Sequence, residues 1–219
     1  MPDINYDYIA VEGIIGTGKT SLVNMLCKDL PATGVREEFA ENPFLPLFYS
    51  NPEKYGFTVE MSFLAERYAQ LKKRLSSADL FRPVISDYTF SKSLLFARTN
   101  LNEDEYELFK KMYGIISPNL PQPGVVLYLY KDPESAKRQI VMRARDYEQN
   151  IDTEYLSNLQ KAYFKYFEQN RKMKVVIVDT TEMDFVQNER DYLYLKGLLT
   201  KNYPPGITRI IPEKRLGEK

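Results

Sequence analysis

The segment Gly13-Ile-Ile-Gly-Thr-Gly-Lys-Thr20 lies directly after an apolar run, residues 8–11, and before a stretch with helical character, residues 21–30. Its spacing of Gly, four residues, Gly, Lys and Thr is that of a phosphate-binding loop. The glycines let backbone N–H groups point at phosphate oxygens, and the following helix adds its dipole. The strand before the segment and the helix after it favour this interpretation over a chance glycine-rich turn.

Two side chains of this loop are predicted to act on a nucleoside triphosphate. Lys19 would reach the β- and γ-phosphates, and Thr20 would bind Mg²⁺. The other residues predicted to surround the phosphates are Gly13, Ile14, Ile15, Gly16, Thr17 and Gly18. Phosphate chemistry is therefore the first functional expectation.

The composition of the 219-residue chain restricts its partners and its catalytic groups. Lysine and arginine together number 30, as do aspartate and glutamate, so no positive excess favours nucleic acid as a partner. Histidine is absent, which leaves carboxylates as the candidates for proton transfer. We see no basic and apolar leader and no apolar run of membrane-spanning length, so we predict a cytoplasmic protein that binds small molecules and no membrane.

Short apolar runs alternate with segments of helical periodicity, which is the pattern of a parallel sheet covered on both faces. The predicted strands are residues 8–11, 35–39, 84–86, 125–129 and 175–178. Long helices are predicted over 57–75 and about 153–171. We therefore expect a single α/β domain, residues 1–205, with a five-stranded sheet. The end of the chain, residues 206–219, mixes prolines with charges and is predicted to be a loosely held tail.

Carboxylates follow two of these strands. Glu37 and Glu38 follow the second strand, and Asp87 ends the third. Because the carboxyl ends of the strands form the ligand crevice of a doubly wound sheet, one of the two glutamates is a candidate for removing the proton of an acceptor hydroxyl. A solvated acidic turn is the alternative for this pair. Asp87 is predicted to bind Mg²⁺, directly or through water, and this role is compatible with a helix N-cap.

Arg143 and Arg145 stand two residues apart at the end of a predicted helix. This arrangement suits a short flap, at about residues 143–150, that folds over a triphosphate and places guanidinium groups on the oxygens that gain charge. A solvated basic turn is the alternative.

Six segments carry a wider resemblance: GIIGTGKT (13–20), REEFAENPFL (36–45), FYSNPEKYGFTVEMSFLAERYAQ (48–70), PVISDYTFSKSLLFAR (83–98), IVMRARDYEQNIDTEYL (140–156) and VVIVDTTEMDF (175–185). In this order they resemble the deoxynucleoside kinases, and within them the bacterial deoxyadenosine/deoxyguanosine kinase branch. The resemblance implies a P-loop kinase fold with a five-stranded parallel sheet and a homodimer. It also implies transfer of the γ-phosphate of ATP, or of another nucleoside triphosphate, to the 5′-hydroxyl of a deoxynucleoside in nucleotide salvage.

The resemblance also assigns roles to single residues. It places the catalytic base at Glu37 or Glu38 without choosing between them. Tyr49 and Glu148 match the residues that hold the sugar 3′-hydroxyl, and Asp179 falls in the loop that lies against the adenine of ATP.

The helix from Phe57 resembles the family's base-reading helix, with Glu60 where many relatives carry glutamine and Arg67 at the position of their arginine. Seven residues apart, the two side chains share a helix face. A carboxylate only accepts hydrogen bonds, so it suits guanine, which offers two neighbouring donors, or adenine and cytosine, which offer an amino group, better than thymine. This predicts a purine deoxynucleoside, either deoxyadenosine or deoxyguanosine. A helix-surface pair of Glu60 and Arg67 without a ligand is the alternative.

The chain departs from the family pattern at two positions. Tyr88 follows Asp87 where many relatives carry an arginine that contacts the acceptor 5′-oxygen, which leaves Lys92 or a flap arginine to supply that charge. Ser93 stands where relatives carry an aspartate that reads the base with the arginine, so the choice of base cannot be transferred from them.

Two other functions remain open at this stage. A nucleoside-monophosphate kinase shares the sheet and the loop, but it would need more cationic groups at the acceptor site. A nucleotide-dependent switch protein is the other alternative, although the guanine-specific signature Asn-Lys-x-Asp is missing around Asp179.

Overall fold

A computed structural model describes residues 4–38, 42–76, 82–145, 148 and 151–212. The strands are β1 Tyr8–Glu12, β2 Thr33–Val35, β3 Val84–Ser86, β4 Val125–Tyr130, β5 Lys174–Asp179 and β6 Gly206–Ile210. The helices are α1 Lys19–Asp29, α2 Leu45–Ser50, α3 Pro52–Ser76, α4 Lys92–Asn100, α5 Glu103–Ile116, α6 Pro133–Arg143, α7 Thr153–Gln169 and α8 Glu189–Leu198, with a 3₁₀ turn over Ser117–Asn119.

The six strands form one parallel sheet in the order β2-β3-β1-β4-β5-β6. Side chains alternate between its two faces, so Val11 and Leu127 pack with α1 and α8, whereas Ala10 and Tyr128 pack with α6 and α7. Both faces are buried, which explains why the central strands read as continuous apolar runs. The predicted α/β fold with a parallel sheet flanked by helices is confirmed.

The predicted number of five strands is wrong, because residues 206–210 form a sixth strand instead of the start of a loose tail. The strand β6 pairs in parallel with β5, and its first N–H, that of Gly206, donates to the carbonyl of Met173 at 2.7 Å. Residues of this edge strand are only partly buried, and Pro204 and Pro205 precede it, so its sequence lacks the apolar signal of a central strand. Residues 213–219 of the predicted tail lie outside the described residues.

The second strand is also shorter than predicted. It ends at Val35, and the N–H of Glu37 donates to Asp87 Oδ1 at 2.8 Å instead of continuing the strand ladder. Residues 39–41, which include the end of the predicted strand, lie outside the described residues. The two predicted long helices correspond to α3, whose apolar seam includes Leu64 and Leu71, and to α7.

The carboxyl ends of β1, β2 and β3 lie side by side and carry the loops that matter for function. The phosphate-binding loop follows β1, Glu37 follows β2 and Asp87 follows β3. The helices α3 and α4 pack against each other above these ends. Among the helices of the described residues, none combines the length and the apolar character that crossing a bilayer requires.

A chain that ends at residue 205 should be less stable than one that ends at residue 212, by about 2–4 kcal/mol. The shorter chain loses β6 and exposes the backbone edge of β5 to water. Urea unfolding of both truncated chains measures the difference. Equal unfolding midpoints would show that β6 contributes no stability.

Candidate active site

A cavity of about 730 Å³, including space open to solvent, lies at the carboxyl ends of β1, β2 and β3. The phosphate-binding loop and the start of α1 form one end, and α2, α3, α4 and α7 form the other. The flap residues after α6 line its mouth. Ligands of open parallel sheets bind at this edge, where the strand order reverses.

The phosphate-binding loop has the backbone that its glycines permit. Gly16 and Gly18 have φ values of 88° and 84°, and a Cβ atom at Gly16 would lie 2.4 Å from the carbonyl oxygen of Ala136. Lys19 Nζ donates to the carbonyl of Ile14 at 2.9 Å, so the ammonium lies over its own loop. Burial lowers the pKa of Lys19 to about 8, and the neighbouring charge of Lys92 adds to the effect.

Asp87 joins the phosphate-binding loop to the end of β2. Its Oδ2 accepts a hydrogen bond from Thr20 Oγ1 at 2.5 Å, and its Oδ1 accepts one from the N–H of Glu37 at 2.8 Å. The carboxylate is 2% exposed and lines the cavity. Thr20 and Asp87, the two residues predicted to bind Mg²⁺, therefore lie side by side.

Glu37 and Glu38 have different surroundings. Glu37 lines the cavity, where its Oε1 accepts from Arg67 Nε at 2.8 Å and its Oε2 accepts from Lys92 Nζ. Burial alone would raise the pKa of Glu37, but the charges of Lys92 and Arg67 outweigh it and lower this pKa to about 2. Glu38 is exposed and borders a neighbouring polar pocket instead. The solvated-turn interpretation therefore fits Glu38 and not Glu37.

Glu60 and Arg67 project from α3 into the far end of the cavity, with exposures of 2% and 4%. A surface pair, the alternative that the sequence left open, is thus excluded. Glu60 Oε1 accepts from Asn100 Nδ2 at 2.7 Å, and Oε2 has no hydrogen-bond partner within the described part of the chain. Burial raises the pKa of Glu60 to about 7, despite the opposing effect of Arg67.

Ser93 adjoins the cavity through Arg67, whose Nη1 donates to the Ser93 hydroxyl at 2.9 Å. The guanidinium of Arg67 thus contacts Glu37 with one side and Ser93 with the other. This bond needs no charge on Ser93, so the arginine is held in the cavity without the aspartate that many relatives are expected to carry.

The two flap arginines converge on one carboxylate at the mouth of the cavity. Arg143 donates to Glu148 Oε2, and Arg145 Nη1 donates to Glu148 Oε1 at 3.3 Å. Ala144 between them has a φ of 54°, a left-handed conformation that ends α6 and turns the second arginine toward the first. Tyr49 lines the same region. Within the predicted flap, residues 146–147 and 149–150 lie outside the described residues.

Asp179 ends β5 and lies outside the lining of the cavity. Its Oδ1 accepts from the N–H of Thr181 at 3.0 Å, which shapes the loop that follows. Further along that loop, Phe185 lies against the phosphate-binding loop, and a Cβ atom at Gly18 would meet its ring at 2.7 Å. The role predicted for Asp179, beside the adenine of ATP, therefore stays a prediction.

Sequence reasoning missed Glu12, the last residue of β1. It is fully buried, its Oε1 accepts from the N–H and the hydroxyl of Thr89, and its Oε2 accepts from Tyr163 Oη at 2.8 Å. Burial raises the pKa of Glu12, and the donors from Thr89 oppose that effect. A charged residue at the end of an apolar strand, directly before Gly13, was the available signal.

Comparison with known proteins identifies the family. A family model for deoxynucleoside kinases matches residues 9–200. The chain belongs to the deoxynucleoside kinase family. A deoxyguanosine kinase of Bacillus subtilis is 34% identical over 193 residues, which cover 84% of this chain and 92% of that protein. A deoxyadenosine kinase of Dictyostelium discoideum is 32% identical over 190 residues, with 84% and 75% covered.

The fold of this deoxynucleoside kinase also resembles solved structures. A deoxyadenosine kinase from M. mycoides, with the products dCMP and dCDP bound, aligns with a TM-score of 0.77 and 25% identity over 88% of this chain and 98% of that one. The predicted family and its phosphotransferase chemistry on a hydroxyl acceptor are confirmed. The family match does not support the alternatives of a nucleoside-monophosphate kinase or a switch protein.

The raised pKa of Glu60 should be visible in the pH dependence of the unfolding free energy. Its pKa is about 7 in the folded kinase against an ordinary value of 4.5, so its stabilising contribution is complete below pH 4.5 and is lost as the pH rises through 7. Relative to Glu60→Gln, the wild type should lose roughly 3 kcal/mol of unfolding free energy across this window.

Urea unfolding at several pH values measures this loss. Glu66→Gln, at an exposed glutamate of the same helix, is the matched control and should follow the wild type. Parallel curves for the wild type and Glu60→Gln would contradict the assigned titration. Glu37 does not interfere with this measurement. Because its pKa is lowered, its contribution to the unfolding free energy is complete above about pH 4.5 and is lost only as the pH falls below that value.

Proposed function

We propose that this deoxynucleoside kinase transfers the γ-phosphate of ATP to the 5′-hydroxyl of a purine deoxynucleoside, with Mg²⁺. The observation that carries the proposal is that one cavity holds the phosphate-binding loop, the carboxylate of Glu37 and the buried carboxylate of Glu60. These groups suit the triphosphate, the acceptor hydroxyl and the base, in that order along the cavity. The predicted homodimer and cytoplasmic location remain predictions.

The residues at the phosphate end fit a magnesium ion. Thr20 Oγ1 and Asp87 Oδ2 are oxygen ligands of the type that Mg²⁺ prefers, and it commonly takes one or two protein ligands together with substrate phosphates. Bound by Thr20 and Asp87, the ion would neutralise charge on the triphosphate. The loop amides and Lys19 would hold the β- and γ-phosphates, and Arg143 with Arg145 would close over them.

Glu37 is the better placed of the two candidate bases. Its low pKa keeps it ionised at neutral pH, so its carboxylate is available as a proton acceptor. The same low pKa makes it a weak base, so the proton of the 5′-hydroxyl would move as the oxygen bonds to phosphorus and the hydroxyl becomes more acidic. As the O–H bond breaks, the oxygen forms a bond to the γ-phosphorus, and the bond to the β-phosphate oxygen breaks with its electron pair leaving on ADP. The ion pairs of Glu37 hold its carboxylate in place before substrate arrives.

The rest of the cavity fits the sugar and the base of a purine deoxynucleoside. Tyr49 and Glu148 line the mouth beside the flap arginines, where they would hold the sugar 3′-hydroxyl. The unpartnered Oε2 of Glu60 calls for a donor from the ligand, because a buried carboxylate oxygen without one is costly. Guanine and adenine present such N–H donors.

Replacing the two adjacent glutamates separately should identify the base. Glu37→Gln is expected to lower kcat by about 10²–10⁴, because an amide cannot accept the proton. Glu38→Gln is the matched control and should leave kcat nearly unchanged, because Glu38 lies outside the cavity. Formation of ADP and deoxynucleoside monophosphate is measured for both. A larger loss of kcat in Glu38→Gln than in Glu37→Gln would identify Glu38 as the catalytic base instead.

A panel of four deoxynucleosides, assayed with ATP and Mg²⁺, tests the substrate. Deoxyadenosine and deoxyguanosine should be phosphorylated with higher kcat/KM than thymidine or deoxycytidine. Glu60→Gln should change the ratio of deoxyguanosine to deoxyadenosine by about tenfold or more, because the amide replaces one acceptor with a donor. An unchanged profile would remove Glu60 from base recognition, and no monophosphate from any of the four would overturn the proposed function.

A further inference from the structure

Lys92 is a buried charge at the reaction centre, and the steps proposed above use it only as an ion-pair partner of Glu37. It is the first residue of α4, 5% exposed, and its Nζ donates to Glu37 Oε2 inside the cavity. The ring of Phe96, one turn further along α4, has its centroid 5.2 Å from Nζ. Lysine is rarely buried to this extent without a role, because removing its charge from water is costly.

The charge of Lys92 lowers the pKa values of two groups at the reaction centre, the carboxyl group of Glu37 and the ammonium of Lys19. After burial, it is the largest influence on the pKa of Glu37 and also on that of Lys19, and it lowers both. Its ammonium therefore lies close to the proposed base and to the lysine of the phosphate-binding loop. Two neighbouring ammonium groups repel each other, and an anionic group that binds between them relieves this repulsion.

The backbone holds Lys92 in this position. Its N–H donates to the carbonyl of Thr89 at 3.1 Å, and Thr89 is held in turn by the buried carboxylate of Glu12. Tyr88, which follows Asp87, points away from the cavity: it is fully buried among core residues and its hydroxyl donates to Gln70. The loop after β3 therefore brings a carboxylate to the reaction centre, and α4 brings the cation.

The arginines near the cavity are held differently from Lys92. Arg143 and Arg145 share Glu148 at the mouth, with side chains 38% and 32% exposed. Arg67 shares Glu37 with Lys92, but it also extends to Ser93 toward the base end. Lys92 Nζ lies against the carboxylate that is proposed to deprotonate the acceptor hydroxyl.

We propose that Lys92 is a catalytic residue whose ammonium contacts the 5′-oxygen and the transferring phosphoryl group while Glu37 removes the hydroxyl proton. The inference rests on the proposed function. In the step, the proton passes to Glu37, the oxygen binds the γ-phosphorus and the electron pair of the broken bond leaves on ADP. Lys92 keeps its protons and stabilises charge that develops during transfer.

Such a role predicts an effect on the chemical step and not on binding. In single-turnover experiments with ATP, Mg²⁺ and deoxyguanosine or deoxyadenosine, Lys92→Met should slow phosphoryl transfer by about 100-fold or more. The dissociation constants of both substrates should stay within about threefold. Lys92→Arg, which keeps the charge, should stay within about tenfold of the wild-type rate.

Lys196→Met is the matched control. Lys196 Nζ also pairs with a carboxylate, that of Asp29 at 3.0 Å, but on α8 and outside the lining of the cavity. This variant should transfer phosphate at the wild-type rate. Thermal unfolding of all variants shows whether each is folded. If Lys92→Met does not fold, the test is made with Lys92→Arg and with a second variant, Lys92→Ala.

Chemical rescue separates catalysis from support of the structure. Ethylammonium should restore transfer by Lys92→Ala with saturation, whereas sodium chloride at the same ionic strength should not. Full activity of a folded Lys92→Met, or a loss confined to substrate binding, would overturn the role of Lys92 and leave the proposed function standing. A wild type that phosphorylates no deoxynucleoside would overturn both.

Discussion

The carboxylate of Asp87 is the contact on which the arrangement of the site depends. It accepts one hydrogen bond from the Thr20 hydroxyl and one from the N–H of Glu37, so it connects the loops that follow β1, β2 and β3. Glu12 anchors the next turn through Thr89. Because these carboxylates are buried and accept several bonds, the distance between the phosphate-binding loop and the proposed base is set before any substrate binds.

Two glutamates of the same cavity have opposite electrostatic surroundings. Glu37 is paired with Lys92 and Arg67, which lower its pKa to about 2, whereas burial raises that of Glu60 to about 7. Pairs of acids with separated pKa values commonly divide the work of a site between them. In the proposed function, the ionised carboxylate of Glu37 would face the acceptor hydroxyl and the unpartnered oxygen of Glu60 would face the nucleobase, so the division of charge would follow the long axis of the substrate.

The sequence predicted features that depend on neighbouring residues and missed those that depend on distant ones. The phosphate-binding loop and Asp87 follow from local spacing and from the ends of apolar strands. The strand β6 carries little apolar signal because it is a sheet edge behind two prolines. The preference for Glu37 over Glu38 as the proposed base rests on side-chain pairs with Arg67 and Lys92, which are 30 and 55 residues away in sequence. The roles of Glu12 and Lys92 likewise rest on partners far along the chain, Tyr163 and Glu37.

Arg67 interacts with the residue proposed to read the nucleobase and with the one proposed to activate the acceptor hydroxyl. Its Nε donates to Glu37, its Nη1 donates to Ser93, and its charge opposes the burial effect on the pKa of Glu60. A base that hydrogen-bonds Glu60 changes the charge that Arg67 experiences, and any shift of the guanidinium changes the pairing of Glu37 with Lys92. The helix α3 carries Glu60 and Arg67 seven residues apart, so one face of one helix presents both side chains to the cavity. In the proposed function, selection of the nucleobase and the pairing of the catalytic carboxylate would therefore be linked through one buried arginine.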